Sequence, residues 1–193
     1  MKLIGLSGTN GSGKDTIGHM LAERHGYLFV SLTDMLRKEA QIRNVSPDRE
    51  VLRAISAEWR RESGLGVLID KALEHLKEIN AAYRGIVMAS LRNPGEADRV
   101  HELGGKVIWV DADPKLRYSR IQTNKSTRDR IEEDEKTYEQ FAAEEQAEMT
   151  YSGDRATLSM TGVKDNADLM IVNDGNDIDV FKDQSEQAIV HII

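Results

Sequence analysis

Residues 3–16 run Leu-Ile-Gly-Leu-Ser-Gly-Thr-Asn-Gly-Ser-Gly-Lys-Asp-Thr, an apolar stretch passing through a glycine-rich loop into a helical segment. This order constrains the fold more than any other feature of the chain. Gly8, Gly11 and Gly13 let consecutive backbone N–H groups turn inward around an anion without Cβ clashes. The helix that follows aims its N-terminal dipole at the same point, and Lys14 adds a point charge. The spacing matches G-x-x-x-x-G-K, a phosphate-binding loop between a buried strand and a helix. Gly8, Asn10, Gly11, Ser12, Gly13, Lys14, Asp15 and Thr16 are therefore the expected ATP-binding residues. The position after the lysine, normally a Ser or Thr whose hydroxyl meets Mg²⁺, is Asp15, with Thr16 one place later. Asp15 and Thr16 are the candidate metal ligands; the alternative for Asp15 is a favourable charge at the helix N-terminus.

The remaining apolar runs, Tyr27–Ser31, Gly85–Ser90, Lys106–Val110 and Leu169–Val172, join Lys2–Ser7 as expected strands, separated by segments of helical period. Such alternation predicts an α/β fold, a three-layer parallel sheet covered by helices, with ligands at the carboxyl ends of the strands. Ser46-Pro47, Asn93-Pro94 and Asp113-Pro114 each suggest an N-cap followed by proline in the first helical turn. Apolar stripes over 51–59 and 65–79 predict two helices between the second and third strands, and residues 178–193 read as a closing helix.

With 193 residues and no repeat or linker, one domain spanning 1–193 is expected. Twenty-six basic and 33 acidic residues leave a net charge of −7, which argues against general nucleic-acid or membrane binding. No cysteine is present, which excludes disulfides and thiolate metal sites. No apolar run approaches membrane-spanning length and no signal-peptide pattern precedes the first strand, so a cytoplasmic protein is expected. Nothing in the pattern fixes an oligomeric state. The five histidines have no partners at metal or triad spacing.

Charge along the chain is uneven. Lys115, Arg117, Arg120, Lys125, Arg128 and Arg130 form a basic segment, followed by an acidic one over 132–148. Arginine forks suit phosphate oxygens, so Arg120, Arg128 and Arg130 read as a clamp with catalytic charge. Lys115 and the acidic run read as solvated surface, as do Arg49, Arg53, Arg60 and Arg61 individually.

Beyond the loop, Ser31-Leu32-Thr33-Asp34-Met35-Leu36-Arg37 resembles the stretch that opens the acceptor helix in nucleoside monophosphate kinases of the P-loop class. Ser90–Glu96 is similar to the Asp-Gly-Ile-Arg-x-x-x-Glu stretch of archaeal adenylate-kinase-related proteins, Val107–Arg120 to their strand and arginine-bearing lid helix, and Ala167–Gly175 to the final strand and adenine-side loop shared with dephospho-CoA kinases. The resemblance spans residues 1 to about 175. It implies an acceptor-binding region near 33–81 with Thr33, Asp34, Arg37 and Arg92 at the acceptor, a lid near 117–135, Asn173 on the ATP side, and ATP with Mg²⁺ as cofactors. It departs at the third strand, which ends Met88-Ala89-Ser90 where the relatives carry an acid. Asp34 and Asp111 stand near neighbouring strand ends, and Asp111 reads as a turn residue.

The function expected is transfer of a phosphoryl group from ATP to a small phosphorylated acceptor, foremost a nucleoside monophosphate. Two alternatives stay open: phosphorylation of a ribose hydroxyl, as in dephospho-CoA kinases, with Asp34 as base, and a slow nucleotide-hydrolysing switch that binds a protein partner.

Overall fold

A computed structural model of the chain describes residues 1–79, 81–123, 136–150 and 153–192. Five parallel strands form one sheet: β1 (Lys2–Gly8), β2 (Tyr27–Ser31), β3 (Gly85–Ala89), β4 (Lys106–Asp111) and β5 (Leu169–Val172). Their spatial order is β2-β3-β1-β4-β5, with Ile4 opposite Val87 on one side and Lys106 on the other. Strand order reverses at β1, so the loop after β1 opens at the switch point where such sheets bind ligands.

Alternation along the central strands divides two apolar cores. Leu3, Ile86, Met88, Val107 and Trp109 face one way; Ile4, Leu6, Val87, Ala89, Ile108 and Val110 face the other. The second face is covered by α1 (Lys14–His25) through Ile17, Met20 and Leu21, and by the C-terminal helix α9 (Ile178–Val190) through Phe181 and Ile189. The first face takes α2 (Leu32–Ile42), α3 (Arg49–Ser63), α4 (Val67–Glu78), α5 (Pro94–Glu102) and α8 (Met160–Asp165). Two further helices, α6 (Pro114–Thr123) and α7 (Tyr138–Met149), meet through Tyr118, Tyr138 and Phe141.

Local chemistry sets the helix starts. Asn93 caps α5 in a capping box with Glu96, with Pro94 in the first turn. Asp113 Oδ1 accepts from the N–H groups of Lys115 and Leu116 at 2.9 and 3.1 Å, opening α6. The expected Ser46-Pro47 start is displaced. Asp48 is the N-cap of α3, because its carboxylate reaches the Val51 N–H at 2.9 Å and Pro47 lies outside the helix. β3 ends one residue early: Ser90 takes φ 75° and turns out of the ladder.

Candidate functional site

The segment from Thr9 to Gly13 is held at three points. Thr9 Oγ1 donates to Asp111 Oδ1 at 3.1 Å, and Arg117 Nη1 to the Asn10 carbonyl at 3.3 Å. Asn173 Nδ2 donates to the Ser12 carbonyl at 2.9 Å, and Arg120 Nη1 in turn to the Asn173 carbonyl at 2.9 Å. Gly13 caps α1 with φ 99°, and no side chain caps the first turn. The amides there point out of the helix toward whatever sits in the loop, which is the arrangement an anion needs. A Cβ on Gly8 would lie 2.0 Å from the Val110 carbonyl oxygen, so only glycine fits where β1 runs into the loop. The Ser12 hydroxyl is buried without a hydrogen-bond partner among the described residues.

Two cavities open beside this loop. One is lined by Asn10, Gly11, Gly13, Lys14, Asp15 and Thr16 together with Arg120, Asn173, Gly175 and Phe181. The other is bounded by α2, α3 and the turn after β3. Its wall carries Ser31, Leu32, Thr33, Leu36 and Arg37, then Arg49, Leu52, Arg53, Ser56 and Arg60, then Ser90, Arg92 and Glu148. Asn10, Lys14 and Asp15 line both. Lys14 is buried, which strengthens its field toward a ligand at that junction.

Most expected site residues fall on these walls. Asn10, Gly11, Gly13, Lys14, Asp15, Thr16, Arg120 and Asn173 face the first cavity, and Thr33, Arg37 and Arg92 the second. Gly8 and Ser12 line neither cavity. Asp34 is not on the wall; its carboxylate accepts from Arg37 Nη1 at 2.7 Å at the exposed start of α2. Arg128 and Arg130, and the 124–135 part of the lid expected near 117–135, lie outside the described residues. As donors for Mg²⁺, Asp15 and Thr16 present one carboxylate and one hydroxyl at adjacent positions. No group of three His, Asp or Glu side chains stands together among the described residues. Such a sparse oxygen set fits Mg²⁺, which keeps waters and takes phosphate oxygens as its other ligands. Asp111 is engaged by Thr9 Oγ1, the Ala112 N–H at 2.9 Å and Trp109 Nε1 at 3.2 Å, so it fixes the loop's edge.

Several charges read from sequence as solvated are not. Arg60 is 3 % exposed and pairs with the fully buried Glu96, donating to Oε1 from Nη2 at 2.7 Å and to the Ala156 carbonyl from Nη1 at 2.9 Å. Arg49 and Arg53 turn inward to Glu148, the last acid of the run read as surface. Arg92 Nη1 makes a very short contact with the same carboxylate. Glu145, on the same helix, holds the buried Arg117 by both guanidinium nitrogens. Burial alone would raise the Glu148 carboxyl; the charges of Arg92 and Arg49 and the Arg53 hydrogen bond outweigh it and hold it at about 2. These partners lie 95, 99 and 56 positions away in the chain, beyond any spacing rule. The one local sign is an arginine at 49 and again at 53, one helical turn apart and on one face. Lys115 is exposed, as expected.

No helix among the described residues is long and apolar enough to cross a membrane. A UPF0200 protein of Pyrobaculum aerophilum is 27 % identical over 194 residues, covering 100 % of this chain and 99 % of that protein. A shikimate kinase of Gloeobacter violaceus is 35 % identical over 130 residues, covering 64 % of this chain and 63 % of that one. Among solved structures, a shikimate kinase from Bacteroides thetaiotaomicron superposes with a TM-score of 0.60 at 14 % identity, covering 98 % of both chains. That likeness shows the fold. A family model for the AAA domain matches residues 4–142. The chain belongs to the AAA domain family and to the P-loop nucleoside monophosphate kinase-like superfamily.

Proposed function

We propose that this chain transfers the γ-phosphoryl group of Mg²⁺·ATP to a small anionic acceptor, foremost a nucleoside monophosphate, and that residues 1–193 act as one kinase unit. The observation that carries the reading is the meeting of two cavities at Asn10, Lys14 and Asp15. A protein that only bound and slowly hydrolysed a nucleotide needs the first cavity alone. The second, lined by Lys14, Arg37, Arg49, Arg53, Arg60 and Arg92, supports the reading by giving a second anion a cationic wall.

Phosphoryl transfer asks the protein for position and charge rather than covalent chemistry. In this reading the α1 amides and Lys14 cradle the β- and γ-phosphates, and Arg120 with Asn173 fixes the donor side. Mg²⁺ held at Asp15 and Thr16 would neutralise charge on the β- and γ-oxygens. Arg92, Thr33 and Arg37 orient the acceptor so that one of its phosphate oxygens attacks the γ-phosphorus in line as the bond to the ADP oxygen breaks. That oxygen is already ionised near neutral pH, so no general base is required. Asp34, tied to Arg37 away from the cavity wall, does not support a base acting on a ribose hydroxyl.

A second acceptor class is favoured by the shikimate kinase relative. A carboxylate-bearing alcohol would meet the same arginines, and Asp15, on both cavity walls, is the carboxylate placed to take its hydroxyl proton. A coupled ADP-release assay with Mg²⁺·ATP tests both, run with nucleoside monophosphates, dephospho-CoA, shikimate and no acceptor. Strong stimulation by one monophosphate is expected. Stimulation by shikimate alone would move the reading to the alcohol class, and slow release that no acceptor accelerates would overturn the kinase reading.

A further inference from the structure

Three guanidinium groups from two separate elements converge on one carboxylate. Arg53 Nη2 and Arg49 Nη1, from α3, donate to Glu148 Oε1 at 2.7 and 3.4 Å, while Arg92, after β3, grips Oε2. Glu148 is only 9 % exposed, yet it lies on the wall of the second cavity together with all three arginines. N–H donors from three directions around two oxygens are what a bound phosphate group would receive. The carboxylate comes from α7. Glu144 and Glu145, one turn earlier on the same helix, hold Arg49 and Arg117, so α7 keeps two further anchors beside this contact.

We propose that Glu148 is an internal stand-in for the acceptor: its carboxylate fills an oxyanion subsite made by Arg49, Arg53 and Arg92, and an incoming phosphate group displaces it. The subsite deepens the two-cavity reading and rests on it. The stand-in keeps three arginines aligned when the cavity is empty, where they would otherwise repel one another. It also lowers apparent affinity, because a ligand binds only in proportion to the fraction of time that the carboxylate is away. Its departure loosens α7 from α3 while Glu145 still grips Arg117, whose Nη1 touches the Asn10 carbonyl of the phosphate loop. Acceptor arrival is thereby felt at the donor site.

The alternative is that Glu148 stays in place as a strut and the ligand uses the arginines' other donors. The two roles predict opposite signs. The full chain, ¹⁵N-labelled, is titrated with inorganic phosphate and followed at the Nε–H signals of Arg53 and Arg92, with and without Mg²⁺·ADP. Glu148→Gln keeps the shape and removes the charge. It should bind phosphate about tenfold more tightly than the unsubstituted chain, the scale of one lost charge-assisted competitor. Equal or weaker binding overturns the proposal. Because the substitution also removes ion pairs, the unsubstituted chain supplies a second reading. Phosphate should shift the backbone amides of Glu148 and Met149 in step with the arginine signals, and unmoved amides overturn displacement. Both readings are taken without turnover. Loss of acceptor-stimulated ADP release would therefore sink the kinase reading and leave this result standing, and the reverse holds.

Discussion

Lys14 is the cation among the three residues that line both cavities, and its setting gives its charge unusual reach. It is 7 % exposed and follows a glycine whose φ of 99° turns the chain into α1. In such a partly desolvated place, one cation aimed at developing phosphate charge is worth far more than in water. Lys14→Ala should leave the fold intact, since the side chain belongs to neither apolar core. It should lower kcat by at least about 100-fold, the scale of losing one oriented donor at a transition state. Steady-state kinetics alongside circular dichroism checks this. Near-normal turnover in a folded variant would remove Lys14 from the chemistry. Ser90 is a second telling residue. At φ 75° a serine is costly, and it stands on the wall of the second cavity, at the strand end where the resembling kinases carry an acid.

At the scale of elements, α7 shows how charge replaces apolar packing. Among the described residues, Phe141 and Glu148 are its buried positions, and Glu144, Glu145 and Glu148 tie it to α3, α6 and the turn after β3. A carboxyl lowered on folding stabilises the fold above its ordinary range and loses that contribution as pH falls toward its folded value. For Glu148, ordinary near 4.5 and about 2 when folded, the loss runs between about pH 5 and pH 2. Asp168, also held at about 2 despite partial burial by the Val107 N–H, Lys106 and His101, loses stability over the same window. Comparing the native chain with Glu148→Gln isolates the first of these. Glu148→Gln should cost up to about 3 kcal/mol at pH 7 and flatten the acid limb between pH 5 and 2. Urea unfolding across that range measures it; parallel curves would mean that the three ion pairs do not form in solution.

Over the whole molecule, what sequence revealed and what it hid divide along one physical line. Strand runs, capping residues and the phosphate loop are governed by neighbours within a few positions, so β1 to β5 and the caps at Asn93 and Asp113 were readable to within a residue or so. Asp48 displaced Ser46 because two capping residues stood two positions apart, with Pro47 between them, and carboxylate reach decided between them. The wall of the second cavity was only half readable. Arg92 and Thr33 came through the likeness of short stretches, whereas Arg49, Arg53 and Arg60 looked like solvent-facing helix positions because their carboxylates arrive from distant parts of the chain. Periodicity reports which face of a helix is apolar; it does not report that a polar face has been turned onto a buried acid.

The central claim is that one reaction spans both cavities, and the partition of the γ-phosphate tests it most directly. With γ-labelled ATP, Mg²⁺ and the best acceptor of the panel, the label should appear covalently on the acceptor, with ADP formed in equal amount and little free phosphate. Label released only as inorganic phosphate, at a rate indifferent to any acceptor, would contradict the account and leave a nucleotide hydrolase whose second cavity serves another purpose.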